Sequence, residues 1–220
     1  PDYNKLTGSS LMDSILKTNL YSATEKQLYQ AEKLYRSKRL DQAEFILDQM
    51  IKRNDQLAEA YYLKSLIESQ KDFYTNALKL INTAIILQPS NTEFYVQRTD
   101  LLIKLKQYKQ AQYDIDKLLK IKPADLNVYG LKAKVSLMNK EYEEVVLLTD
   151  QLFDLELKNQ DLLYANSKAN YELGNQMQAL KSVNELLTKK SSKEAFELRG
   201  DIYMKTKTYE FAAQDYSMFL

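Results

Sequence analysis

The 220 residues contain no histidine and no cysteine. Their absence removes His and Cys metal sites, disulfides, thiol nucleophiles and every Ser-His-Asp arrangement. The groups left to carry charge or move a proton are 30 Asp and Glu, 31 Lys and Arg, and 17 Tyr. Paired carboxylates are the one catalytic arrangement this set still permits, and glycoside hydrolysis is the chemistry they would serve. That chemistry needs acids opposed across a pocket, as inside a closed ring of helices. The acids here recur along the chain instead, at Glu25, Glu59, Glu93, Asp161 and Glu194. In the first turn of a helix an acid complements the macrodipole. As a row, the same acids would form a rim attractive to basic peptides.

The elements that carry these residues are set by composition. Glycine and proline together number only seven, against about 26 in an average chain of this length. All-β folds and Gly-rich phosphate loops need many more, so neither fits. A hydrophobic fraction of 45% with 28% charged residues allows a soluble chain with a real core. The net charge of +1, with only five Arg, gives no overall field for nucleic acid or an anionic membrane. That balance argues against RNA reading by a helical repeat, which needs a basic groove. No run of about 18 apolar residues is present, so no segment spans a membrane. The chain opens at Pro1 without a signal peptide, as a processed form would. Zero cysteine suits an extracytoplasmic setting, and the excess of Lys over Arg suits a bacterial source.

A repeat of 34 residues organises the chain. Ala43, Ala77, Ala111, Val145, Ala179 and, after 33, Ala212 form one column. Twelve residues before each stand Ala31, Ser65, Thr99, Ala133, Ser167 and Gly200, all small. Two small columns at fixed separation mark a close helix–helix crossing inside each unit. Further columns agree: Leu40, Tyr74, Tyr108, Tyr142, Gln176 and Tyr209, and Met50, Ala84, Leu118, Leu152, Leu186 and Phe219. Between columns the apolar spacing is helical, as at Ala111, Ile115, Leu118, Leu119 and Ile121. Turns are expected at Lys71–Phe73, Lys106–Gln107 and Leu173–Asn175. Pro89 and Pro123 close their units, and Thr92 and Asp161 are the expected helix caps. Six hairpins follow, over 24–57, 58–91, 92–125, 126–159, 160–192 and 193–220. Residues 1–23 lie outside the repeat and predict a short capping helix, started by Ser9 or Ser10 and bearing Leu11, Ile15, Leu16 and Leu20.

This pattern resembles the tetratricopeptide repeat, with small residues at unit positions 8 and 20 and a closing proline at 32. The third unit shows it best, with Tyr95, Thr99, Tyr108, Ala111, Leu118 and Pro123 in register. Position 7, usually leucine in that family, holds Gln30, Lys64, Arg98, Lys132, Asn166 and Arg199. The apolar stripe has moved to positions 6 and 10, at Leu63, Ile67, Leu101, Leu131, Val135, Leu198 and Ile202. The resemblance implies an all-α, right-handed superhelical solenoid of about six hairpins, without cofactor or catalysis. Such a stack leaves its ends open, and the C-terminal end, with Tyr216 and Phe219 facing outward, is expected to meet a further unit, a partner or a second copy.

The resemblance also implies a concave groove formed by positions 2, 5, 9, 12 and 13 of the first helices. On this chain the groove residues are Tyr35, Tyr62, Leu66, Val96, Asp100, Ile103, Lys134, Leu137, Tyr164, Lys168 and Tyr171. Leu28, Glu32, Met204, Glu197 and Asp201 stand on the same face. A peptide or helix of a partner protein is the expected occupant. The Lys and Asn clamp by which some family members grip a C-terminal carboxylate is missing: the equivalent positions hold Leu28/Glu32, Tyr62/Leu66 and Val96/Asp100. Charge is uneven along the chain, with nine Lys against three acids over 104–140 and seven acids against one Lys over 141–161. On solvated faces this makes a bipolar surface able to orient a partner. The same scaffold would also serve as the repeat module of a bacterial envelope assembly or secretion lipoprotein.

Overall fold

The computed structural model describes residues 22–218, and within them the chain is helix and turn with no strand. The helix expected near the N-terminus and Phe219 lie outside the described residues. The chain divides into two compact units, one ending at Lys106 and one starting at Gln107. The first unit holds α1 (Ala23–Arg36), α2 (Leu40–Arg53), α3 (Ala58–Gln70), α4 (Tyr74–Leu87) and α5 (Thr92–Lys104). The second holds α6 (Tyr108–Ile121), α7 (Leu126–Met138), α8 (Tyr142–Asp154), α9 (Gln160–Leu173), α10 (Gln176–Lys189), α11 (Lys193–Lys205) and α12 (Tyr209–Ser217). These twelve helices run as six successive pairs through the described residues, and the division falls between the two helices of the third pair. No helix among the described residues is long and apolar enough to cross a membrane.

Each first helix ends in one way. At repeat position 15 the backbone turns left-handed at Lys38, Asp72, Lys106, Lys140, Gly174 and Lys207, with φ from 58° to 84°. At five of these turns the amide after this residue reaches back five residues, as from Arg39 to the Leu34 carbonyl (2.9 Å) and from Asn175 to the Asn170 carbonyl (2.8 Å). This satisfies carbonyls that the helix end would otherwise strand. Glycine takes up this conformation most easily, yet only the fifth repeat supplies one. Helix starts differ from expectation. Thr92 and Asp161 are already helical, and the residues before them cap: Asn91 Oδ1 accepts from Glu93 N (3.0 Å) and Asn159 Oδ1 from Leu162 N (2.9 Å). The cap must sit in extended backbone, from which a short amide side chain reaches the free N–H groups.

Both small columns are buried, Ala43, Ser65, Ala77, Thr99, Ala111, Ala133, Ala179 and Ser167 completely. Where the earlier column is serine, its hydroxyl donates across the crossing: Ser65 Oγ to the Ala77 carbonyl and Ser167 Oγ to the Ala179 carbonyl, both at 2.9 Å. A larger side chain there would force the two helices apart. Positions 6 and 10 supply the core. Leu63 and Ile67 join Ala31, Ala43, Leu47 and Ala60 in the first unit, and Leu198 and Ile202 join Leu163, Val183 and Leu186 in the second.

The polar residues at position 7 have a structural role. Four of the six reach the second helix of the preceding repeat, at position 25. Lys64 donates to Asp48, Arg98 to Asn82 (2.9 Å), Asn166 to Asp150 (3.1 Å) and Arg199 to Asn184 (2.8 Å). Lys132 instead approaches Glu144 of its own hairpin at 3.9 Å. Asn166 is also the centre of a buried network. Its Nδ2 donates to Thr149 Oγ1 (2.7 Å), and its Oδ1 accepts from Ser182 Oγ (2.6 Å) and Asn170 Nδ2 (3.1 Å). Neighbouring hairpins are thus held by directed bonds as well as by apolar burial.

Candidate functional site

The first helices of unit one, α1, α3 and α5, begin at successive repeats and present the same positions to one side. Leu28 and Tyr62 occupy position 5, Glu32 and Leu66 position 9, and Glu25, Glu59 and Glu93 position 2. Together with Tyr35, Arg36 and Phe94 they line a cavity of about 900 Å³. That volume lies toward the upper end of ordinary ligand sites, about 300–1,000 Å³. Its floor is apolar and aromatic, and the Tyr62 and Phe94 rings meet at 5.1 Å with a 32° tilt. The loop residues Leu57, Ser90 and Asn91 complete the wall.

The electrostatics of this cavity are acidic. Glu25 closes a capping box with Ser22, its Oε2 accepting from Ser22 N at 2.8 Å while Ser22 Oγ accepts from Glu25 N at 3.2 Å. Glu32 accepts from Arg36 Nε (3.0 Å) and Nη2 (2.7 Å) one helical turn on. Glu59 is exposed in the first turn of α3. Burial pushes the Tyr62 hydroxyl up to about 12, and the carboxylates of Glu93 and Glu32 add to the effect while Arg36 opposes it. A phenol among acids resists becoming an anion.

Of the residues expected in the groove, Tyr35, Tyr62 and Leu66 are brought together in this cavity. Val96 and Asp100 are half-buried further along α5, outside its lining. Ile103 and Leu137 do not face an open groove. Both are buried, and Leu137 packs with Ala133, Val145 and Leu152 in the core of unit two. Position 12 is therefore open at Tyr35 but turned into packing in α5 and α7. Phe94 was missed by sequence reasoning. It stands at position 3, the residue after the acid of position 2, and its burial at 1% exposure carried no periodic signal.

In unit two, Tyr164, Lys168 and Tyr171 gather on α9, and Lys134 is exposed on α7. Lys168 Nζ pairs with Glu172 at 2.8 Å and lies 4.8 Å from the Tyr171 ring centre. Lys205 of α11 covers the same ring at 4.2 Å and donates to the Tyr171 carbonyl (3.1 Å). This cluster is internally satisfied. Tyr216, expected to face outward, folds back over Gly200 and donates to Asp201 Oδ1 at 2.8 Å. Gly200 has no Cβ, and one placed there would lie 2.6 Å from the ring. Among the described residues no group of three or more acids is gathered as a metal ion would require.

Stacked helix hairpins with a buried pair of small columns define a helical-repeat architecture, and comparison with solved structures gives it its class. No protein-family model and no curated protein sequence matches the chain. A tetratricopeptide repeat protein from Parabacteroides merdae superposes with a TM-score of 0.76 at 19% identity, over 94% of this chain and 82% of that one. YrrB, described as a TPR protein with an unusual peptide-binding site, does so at 0.62 and 15%, over 91% and 98%. PilW, described as a widely conserved type IV pilus biogenesis factor, gives 0.78 at 12%, over 89% and 91%. The chain has the tetratricopeptide-repeat fold.

Proposed function

We propose that this chain is a non-catalytic protein-interaction scaffold that holds a segment of a partner protein in the first-helix cavity of unit one. The observation that carries this is the convergence of Leu28, Tyr35, Tyr62 and Leu66 on one cavity of about 900 Å³. Partly exposed aromatic and aliphatic side chains in a concave, polar-edged site are the usual make-up of a peptide groove. YrrB, with a peptide-binding site on the same fold, supports the reading. A photo-crosslinking residue at Leu66, with Lys79 on exposed α4 as the control position, tests it in the native cell. Adducts to a discrete protein at Leu66 and none at Lys79 are expected. Equal labelling at both positions, or none at Leu66, would refute the reading.

A second reading is favoured by the absence of cysteine from the whole chain. It places the scaffold outside the cytoplasm, as the repeat module of a bacterial envelope assembly or secretion lipoprotein. The likeness to PilW is one of fold alone, but it shows the fold in an assembly factor. Fractionation and protease accessibility of the tagged gene product decide this. Recovery wholly in the cytosol would remove it.

A further inference from the structure

Two phenols open into the cavity of unit one. Tyr62, at position 5 of α3, and Tyr35, at position 12 of α1, both line it. The Tyr62 ring packs on Phe94 at 5.1 Å. Neither hydroxyl has a hydrogen-bond partner among the described residues, and neither is sealed away from solvent. Tyr95 and Tyr129, at position 4, by contrast donate to the main-chain carbonyls of Pro89 and Pro123 at 2.9 and 3.0 Å, and Tyr216 donates to Asp201. Burial, together with the nearby carboxylates, keeps the proton on Tyr62, so this hydroxyl stands ready as a donor.

While the cavity is open to solvent, water serves these hydroxyls. A segment that lays apolar side chains against Leu28 and Leu66 displaces that water, and a hydroxyl then left without a partner weakens binding. The occupant therefore has to bring an acceptor to Tyr62. A helix brings none along most of its length, because its interior carbonyls are bonded to its own amides. An extended segment carries an unbonded carbonyl at every residue, and its alternate side chains point to one face. In this protein the phenols of Tyr95 and Tyr129 already pair with carbonyls of that kind, in turns outside any helix. We propose that the cavity of unit one takes a partner-protein segment in extended conformation, with alternate apolar side chains on Leu28 and Leu66 and a main-chain carbonyl accepting from Tyr62 Oη. This rests on the scaffold reading and specifies the form of its occupant.

The test selects random dodecapeptides displayed on phage against the full chain and measures those recovered by fluorescence anisotropy. Peptides blocked by both Leu66→Glu and Leu28→Glu, and not by Lys79→Glu on exposed α4, are the cavity binders. They are expected to carry apolar residues at every second position. Proline between those residues should be tolerated, since it blocks a helix and keeps its carbonyl. Tyr62→Phe should weaken the cavity binders about fivefold, as one lost hydrogen bond of ordinary strength gives. The same change should leave the thermal melt at neutral pH where it was, because the hydroxyl bonds nothing in the free chain. Cavity binders with apolar residues at i, i+3, i+4 and i+7 that proline inactivates would overturn the extended assignment and leave the scaffold reading standing. So would cavity binders that Tyr62→Phe holds as tightly as the parent does. If no cavity binder is recovered, both fall.

Discussion

Asn166→Leu installs at position 7 of the fifth repeat the residue that the tetratricopeptide family usually carries there. If packing alone held the hairpins together, the change would be neutral or helpful. The bonding of Asn166 says otherwise. Ser182 is only 6% exposed, and its hydroxyl would lose its acceptor at 2.6 Å. Thr149 Oγ1 would lose the donor at 2.7 Å but keep its own bond to the Val145 carbonyl at 2.8 Å. Asn170 would keep the Asn166 carbonyl at 3.0 Å and lose the side-chain oxygen at 3.1 Å. A stranded buried hydroxyl costs about 1–3 kcal/mol and each lost bond about 1 kcal/mol. Burying leucine offsets about 1–2 kcal/mol of this, which leaves a net loss of about 2 kcal/mol. Ser182→Ala alone should cost about 1 kcal/mol, because Asn170 still satisfies the Asn166 oxygen. In the double variant no hydroxyl is stranded, so the two losses should fall short of adding by about 1–2 kcal/mol. Denaturant unfolding followed by far-UV circular dichroism measures the cycle, and hydrogen exchange in α8–α10 localises it, since repeat stacks can open piecewise. Asn166→Leu as stable as the parent, or losses additive within about 0.3 kcal/mol, would refute the assignment of Asn166 as a hub.

Tyr62 gives an alkaline prediction. Its folded-state value of about 12 lies above the ordinary 10.0, so its contribution is intact below pH 10 and is lost as pH rises through 12. Discounted for partial exposure, the loss is about 2 kcal/mol. The parent should lose that much more stability than Tyr62→Phe between about pH 9 and 12, and equal losses would count against the burial, and with it the nearby carboxylates, described for this phenol. The turns give a prediction of opposite signs. Lys140→Gly should gain up to about 1 kcal/mol and Gly174→Ala should lose about 1 kcal/mol. Thermal melts should shift by about 2–4 °C in each direction, and shifts of the same sign would mean that the left-handed turns are not what decides.

The hairpin spacing, the small columns and the turns were legible because each depends on residues close in sequence. Ala31 and Ala43 are twelve apart and cross within one hairpin, so their period survives in the chain. The ladder between positions 7 and 25 was harder to see. Its polar column at Asp48, Asn82, Asp116, Asp150 and Asn184 recurs every 34 residues, as plainly as the alanines. A polar column at helical spacing looks like a solvated face until its partner is known, and that partner lies sixteen residues away in the next repeat. Position 12 failed for a related reason. Whether it is open, as at Tyr35, or buried, as at Ile103 and Leu137, depends on how tightly the adjacent helix approaches, and the period does not encode that.

How tightly first helices approach also explains why position 5 makes a cavity in unit one and not between α7 and α9. Leu28 and Tyr62 at this position line the cavity and present apolar surface there. In α7 the same position is Gly130, and a Cβ placed on it would lie 3.0 Å from the Asp161 Cβ of α9. The approach is fastened at its end by Asn159, whose Nδ2 donates to the Leu126 carbonyl at 2.9 Å. The acid of position 2, which edges the cavity in unit one, stands here beside Gly130 at Asp161, its Cβ in the space a larger residue at position 5 would take. One residue type at one repeat position thus separates a first-helix face that can receive a partner from one that the protein uses to pack against itself.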